Sequence, residues 1–393
     1  MVAPKLRFKE FDGDWTSKQL GKIIGISSAS RVFKEQWQDS GVPFFRTSDV
    51  VSIFKNKENE KAYISLELFE ELAKKSGKIK QGDLLVTGGG SIGIPYLVPN
   101  DQPLYFKDAD LLWMKSSGIV EGSFLYNFFI SPKFREYLKS ISHTGTISHF
   151  TIEQAKATPF GFPSKEEQTK IASFLSNVDE KISQLTQKHQ LLSQYKQGMM
   201  QKLFSQQLRF KADDGSEFGE WEEKILKDLF PKIRNRFVGV ATPYYVNYGV
   251  KYLQGKNIKN GKIDATGLIF INQEFHQKKT NSILKTNDIL MVQSGHVGEC
   301  AVVTEDYDNA NCHALLVLSP KSSKLINSKF VVYYFYSEIG KKKIALIKTG
   351  NTIEHILASD IKEVALLFPC LAEQTKIANF LSAIDQKIEV VVQ

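Results

Sequence analysis

The chain has 393 residues, 24% of them charged and 42% hydrophobic, with a formal net charge of +8, which is too long for one core and suits two domains with connectors. No apolar run approaches the roughly 18 residues of a membrane span, and the opening MVAPKLRFKEFDGDW has no apolar h-region of a secretory signal. Three cysteines, Cys300, Cys312 and Cys370, lack the paired spacing of a disulfide framework, so a cytoplasmic chain is expected, and its basic excess favours a polyanionic partner.

The first segment, LRFKEFDGDW (Leu6–Trp15), returns as LRFKADDGSEFGEW (Leu208–Trp221) with four residues inserted. GVPFFRTSDV (Gly41–Val50) lies over GVKYLQGKNI (Gly249–Ile258); both read as a short apolar strand ending in polar residues able to cap a turn or helix. GDLLVTGGGSIG (Gly82–Gly93) lies over NDILMVQSGHVG (Asn287–Gly298), an apolar strand running into a glycine-containing loop, with apolar stretches following at Ile94–Val98 and Glu299–Val303. Further strands are expected at Ala109–Met114 and His313–Leu318, and a helix near Gly122–Ser140 and again near Asn327–Ile347. HTGTISHF (His143–Phe150) then lies over KTGNTIEHI (Lys348–Ile356).

The strongest repeat follows. Phe162–Ile182 and Phe368–Ile388 align without a gap at a separation of 206 residues and share fourteen of twenty-one positions, which makes the chain an internal duplication. Both copies read as helices. Ser164 and Glu167 have the spacing of a capping box, in which Glu167 reaches back to the cap; Cys370 weakens the second copy. Ile171, Leu175, Val178, Ile182, Leu185, Leu192, Met199 and Leu203, with Ile377, Leu381, Ile384 and Ile388, follow the 4-3 rhythm of a coiled-coil seam. The first helix, continuing to about Leu208, would be a rod on the order of 65 Å long. The expected division is therefore 1–163, a helix over 164–208, a second unit over 209–367, and a short helix over 368–393.

Motifs of catalysis are missing from the sequence. GGGSIG lacks the lysine and Ser/Thr of a phosphate loop and is followed by a strand, not a helix. His296, Cys300, Cys312 and His313 do not have zinc-ligand spacing. The polar loop tips are the candidates for contacts to DNA: Arg46, Thr47, Ser48, Thr87, Ser91, Thr144, Thr146 and His149 in the first half, and Gln254, Lys256, Asn257, Gln293, Ser294, His296, Thr349, Asn351 and His355 in the second. His149 and His355 match across the repeat, so a shared structural role is an equal reading for them.

LRFxxFxGxW, the strand-to-glycine loops and the duplicated EQTKIASFLSNVDEKI and EQTKIANFLSAIDQKI resemble the specificity subunit of type I restriction–modification systems. The resemblance covers nearly the whole chain. It implies an α+β fold with an internal pseudo-two-fold repeat: two similar mixed α/β target recognition domains joined by long helices that form an antiparallel coiled coil. It implies a chain without catalysis of its own, each domain reading half of a bipartite site in double-stranded DNA while the helices set the spacing. The implied partners are two methyltransferase (modification) subunits and restriction (motor/nuclease) subunits, which would carry S-adenosylmethionine, ATP and Mg, and no membrane. A two-headed DNA-binding regulator or scaffold without a methyltransferase is the alternative. The seam of the first helix near Ile171–Ile182 is expected to be covered by a second copy of the chain, by the methyltransferase, or by the segment Met1–Phe8.

Overall fold

The computed structural model describes residues 4–141, 149–350 and 354–392. The chain forms two compact units, Met1–Ile182 and Ser183–Gln393. In the first, the elements run β1 (Thr16–Gln19), β2 (Gly25–Ser27), β3 (Val42–Phe45), α1 (Thr47–Phe54), β4 (Ala62–Ile64), α2 (Leu66–Ser76), β5 (Leu84–Thr87), β6 (Pro95–Leu97), β7 (Tyr105–Phe106), β8 (Leu111–Lys115), α3 (Gly122–Ile130), α4 (Pro132–Ser140), α5 (Ile152–Ala157) and β9 (Pro159–Phe162), before α6 (Lys165–Phe204) begins. Strands order as β2-β8-β5-β6 and β4-β3-β7, with a separate β1-β9 ribbon. Strand β5 is buried on both faces, which is why it reads as an unbroken apolar run. Leu84 and Val86 join the core under α3 and α4, while Leu85 faces the core beneath α1.

The second unit repeats this plan: β10 (Glu222–Ile225), α7 (Leu226–Leu229), β11 (Lys232–Asn235), β12 (Tyr245–Val246), β13 (Val250–Leu253), β14 (Ile258–Lys259), β15 (Lys262–Ile263), β16 (Ile269–Ile271), α8 (Gln273–Lys278), β17 (Ile289–Val292), β18 (Cys300–Val302), β19 (Asn311–Cys312), β20 (Leu315–Ser319), α9 (Ser328–Tyr336), α10 (Glu338–Leu346), α11 (Ala358–Lys362), β21 (Ala365–Phe368) and α12 (Leu371–Val392). The order β11-β20-β17-β18 reproduces β2-β8-β5-β6, and β10-β21 reproduces β1-β9. Registers repeat as well: Thr16 faces Phe162, and Glu222 faces Phe368. The units diverge after β3 and β13, where the first builds helix α1 and the second a 3-10 turn and the β14-β15 hairpin.

The matched motif residues form one clamp, built twice. In the first unit the carboxylate of Glu167 is buried and accepts from Arg7 Nε (2.7 Å) and Nη2 (2.6 Å) and from Trp15 Nε1 (3.4 Å). In the second, Glu373 accepts from Arg209 Nε (3.1 Å) and Nη2 (2.9 Å) and from Trp221 Nε1 (3.0 Å). The neighbouring glutamine is buried in both copies: Gln168 accepts from the Glu121 amide and donates to the Ile119 and Pro163 carbonyls, and Gln374 does the same at Asn327, Leu325 and Pro369. These side chains satisfy backbone groups at helix starts that would otherwise be buried unpaired. Phe8 meets Phe174 edge-on at 5.7 Å and Phe210 meets Phe380 at 5.5 Å.

Two sequence expectations, the capping box and the single helices, need correction. Ser164 does accept from the Glu167 amide at 3.3 Å, but the Glu167 carboxylate is committed to Arg7 and Trp15 and does not close a capping box. The helices foreseen at 122–140 and 327–347 are each two helices, because Ser131 and Ser337 cap a new start, the first with Pro132 in its opening turn. The seam of α12 packs into the core of the second unit with α9 and the last turn of α6: Leu203, Ile377, Leu381 and Ile384 are buried there, and Ile388 lies against it. Lys196 pairs with Asp385 at 2.6 Å. Ile171, Leu175, Leu185, Leu192 and Met199 are half-buried, whereas Val178 and Ile182 are exposed. The described part of the N-terminal segment lies on the start of α6, where it engages Glu167, Lys170 and Phe174; Met1–Ala3 lie outside the described residues.

Candidate nucleic-acid interface

In each unit three segments distant in sequence meet at one end of the central sheet. The turn after β5 is held shut by Gly93 N donating to Thr87 O (2.7 Å), and the turn after β17 by Gly298 N donating to Val292 O (3.0 Å). Gly93 (φ +73°) and Gly298 (φ +95°) occupy the left-handed region, and a Cβ on Gly93 would meet Leu138 at 2.7 Å, so this corner requires glycine. Each turn is then pinned by the segment that precedes α5 or α11. Phe150 N donates to Gly88 O (2.7 Å), with His149 bridged to Gly89; Ile356 N donates to Gln293 O (3.0 Å), with His355 bridged to Ser294. The end of β3 supplies the third segment, where Thr47 Oγ1 donates to Asp110 O at 3.4 Å. Gly255, after β13, lies beside Val292.

This framework presents Ser48, Ser91 and His149 in the first unit, and Lys256, Ser294, His296, Thr349 and His355 in the second, all exposed. Thr47, Gln254 and Gln293 are half-buried at its base, and Gln254 donates to the Tyr245 hydroxyl at 3.1 Å. Arg46 is turned inward: its guanidinium pairs with Asp49 (2.9 Å), donates to Glu60 O and sits 5.5 Å from the Trp37 ring. Thr144, Thr146 and Asn351 lie outside the described residues.

Two of the sequence candidates are corrected. Thr87 is fully buried; its hydroxyl accepts from Ile94 N (2.9 Å) and donates to Ser91 O (2.5 Å), so it staples the loop and has no surface to offer DNA. Asn257 is fully buried too, accepting from Gln254 N (3.1 Å) and donating to Asp264 O (2.9 Å), the role that Asp49 plays toward Arg46 N (2.8 Å) in the first unit. Cys300 and Cys312 are buried, and burial pushes both thiols up, Cys312 to about 12. Burial holds His313 below the ordinary histidine value, and its Nδ1 lies 3.1 Å from the Tyr252 hydroxyl. Among the described residues no three His, Cys, Asp or Glu side chains form a metal-binding group, and no helix is long and apolar enough to cross a membrane.

The family profile described as the type I restriction modification DNA specificity domain matches residues 12–194 and 219–392. The chain is 27% identical over 281 residues to the type I restriction enzyme MjaVIII specificity subunit of Methanocaldococcus jannaschii, an alignment over 68% of this chain and 64% of that subunit. It is 26% identical over 398 residues to the putative MjaX specificity subunit of the same organism, over 98% of this chain and 90% of that one. The crystal structure of the type I restriction–modification S subunit from M. genitalium has the same fold: TM-score 0.59 at 16% identity, covering 99% of this chain and 93% of that one.

Proposed function

The chain belongs to the type I restriction–modification DNA specificity family, and on that premise we propose that it is the sequence-reading subunit of such a complex, with no catalysis of its own. Each unit reads one half of a bipartite DNA site. The observation that carries this reading is one loop junction built twice on matched strands with different exposed side chains: Ser48 against Lys256, and Ser91 against His296. Matched residues such as Glu167 and Glu373 serve the framework. Unmatched ones vary the donors and acceptors offered to base edges in a groove, which is what distinguishes one sequence from another. Modification and restriction subunits carry S-adenosylmethionine, ATP and Mg, and the methyltransferase subunits dock on the helices. Exposed apolar side chains along α6 support that docking: Phe174 in the first unit, Leu191 and Tyr195 in the second.

The test is genome-wide mapping of methylated adenines in cells with the chain, without it, and with residues 209–367 replaced by those of a relative. A split motif should appear with the chain, and the replacement should change one half of it. A continuous motif, or simultaneous change of both halves, overturns the reading.

A further inference from the structure

The second unit carries a concave basic surface. A groove of about 570 Å³ is lined by Lys232 and Arg234 of β11, Arg236 just after it, Lys285 before β17 and Lys321 after β20. Asp288 is the one carboxylate in its lining. Other lysines of this unit have a carboxylate partner, as Lys259 has Asp264 and Lys227 has Glu363. No carboxylate among the described residues lies within ion-pair distance of these five side chains. Arg236 donates from Nη1 to Asn281 O at 2.5 Å, but its Nε is buried with no acceptor. One edge of this guanidinium is stripped of water among four further cations, with the buried Asp288 as the one carboxylate of the lining to offset them, so the groove favours a further anion.

The repeat shows that the framework does not require these charges. Ile26 pairs with Met114 as Ile233 pairs with Leu318, so Lys232 and Arg234 stand where the first unit has Gly25 and Ser27. Asp83 and Asp288 are matched: each accepts from the amide three residues before it, Lys80 N at 2.9 Å and Lys285 N at 3.0 Å. In the first unit the buried Trp113 indole also donates to Asp83 at 2.8 Å. Val317 holds that place in β20 and donates nothing.

We propose that this groove binds phosphates of the DNA backbone beside the half-site read by the second unit, adding affinity without reading bases. It rests on the DNA-recognition function proposed above. Strand β17 leads from Asp288 at the groove to Gln293 at the reading loop. Five residues at about 3.3 Å each place the two roughly 16 Å apart, about half a helical turn of DNA.

The experiment compares the assembled methyltransferase complex carrying wild-type chain with K232Q/R234Q/K321Q. Binding is measured across a salt series to a duplex bearing the mapped site and to one lacking it. The slope of log K against log salt should become shallower by about 0.9 for each phosphate the variant no longer neutralises. The loss should be equal on both duplexes, and their affinity ratio should stay within about twofold. An unchanged slope overturns the groove, as does an altered ratio. K321Q alone, at an exposed rim position, should lower the slope by about one unit and guards against misfolding of the triple variant. Pyrophosphate that raises the Tm of wild type but not of the variant, with the DNA slope unchanged, would assign the groove to free phosphates and overturn its DNA role. A wild-type complex that shows no preference for the mapped site sinks the recognition reading, and the groove assignment with it.

Discussion

Replacing Glu373 by Ala should unfold the second unit at markedly lower temperature. Glu373 is fully buried and accepts from Arg209 and from the buried indole of Trp221. Removing one member of a buried pair costs about 3–5 kcal/mol. The Arg209 side chain is 20% exposed and keeps the carbonyls of Phe218 and Gly219 as acceptors. That places the loss at the low end, about 3 kcal/mol, much of it the unpaired Trp221 donor. For a unit of about 200 residues each kcal/mol moves Tm by about 2–4 °C, so a fall of about 6–12 °C is expected by calorimetry. The double variant with Trp221→Phe isolates the interaction. If Glu373 and Trp221 are energetically coupled, the two losses should fail to add by more than about 0.5 kcal/mol. Additive losses, or a Tm within about 2 °C of wild type, would refute the clamp.

Thiol chemistry should divide the cysteines. Exposed Cys370 should react with a thiol reagent in the folded chain, and buried Cys300 and Cys312, whose thiols are pushed up, only after denaturation; three fast thiols would show that the β18 and β19 cores are open. Asp288→Asn should change the pH dependence of stability. Burial raises the Asp288 carboxyl above its ordinary range, so its contribution is complete below about pH 3.9 and is lost as pH rises through the folded value. Asparagine still accepts from the Lys285 amide, so the variant should gain stability relative to wild type between about pH 4 and 7 in urea titrations. A relative loss over that range would mean that attraction to Arg236 outweighs desolvation.

Local signals in the chain determined a good deal. The 206-residue duplication, the strand-to-glycine turns and the long helix are all visible as spacing, because a helix or strand imposes its period on adjacent residues. Even the break at Ser131–Pro132 has a local signal, a cap followed by proline. What each polar side chain does was decided by tertiary contact. Glu167 has helix-cap spacing, yet its partner Arg7 lies 160 residues away. Thr87 and Asn257 read as loop donors like Ser91 and Lys256, but only the fold turns the first two inward. The basic groove had a partial signal in the run Lys232–Arg236, while Lys285 and Lys321 join it because β17 and β20 are neighbours in one sheet. Periodicity reports which face of an element is buried. It carries no information about which distant segment closes over that face, and that is where the charges and hydrogen-bond donors of this protein acquire their roles.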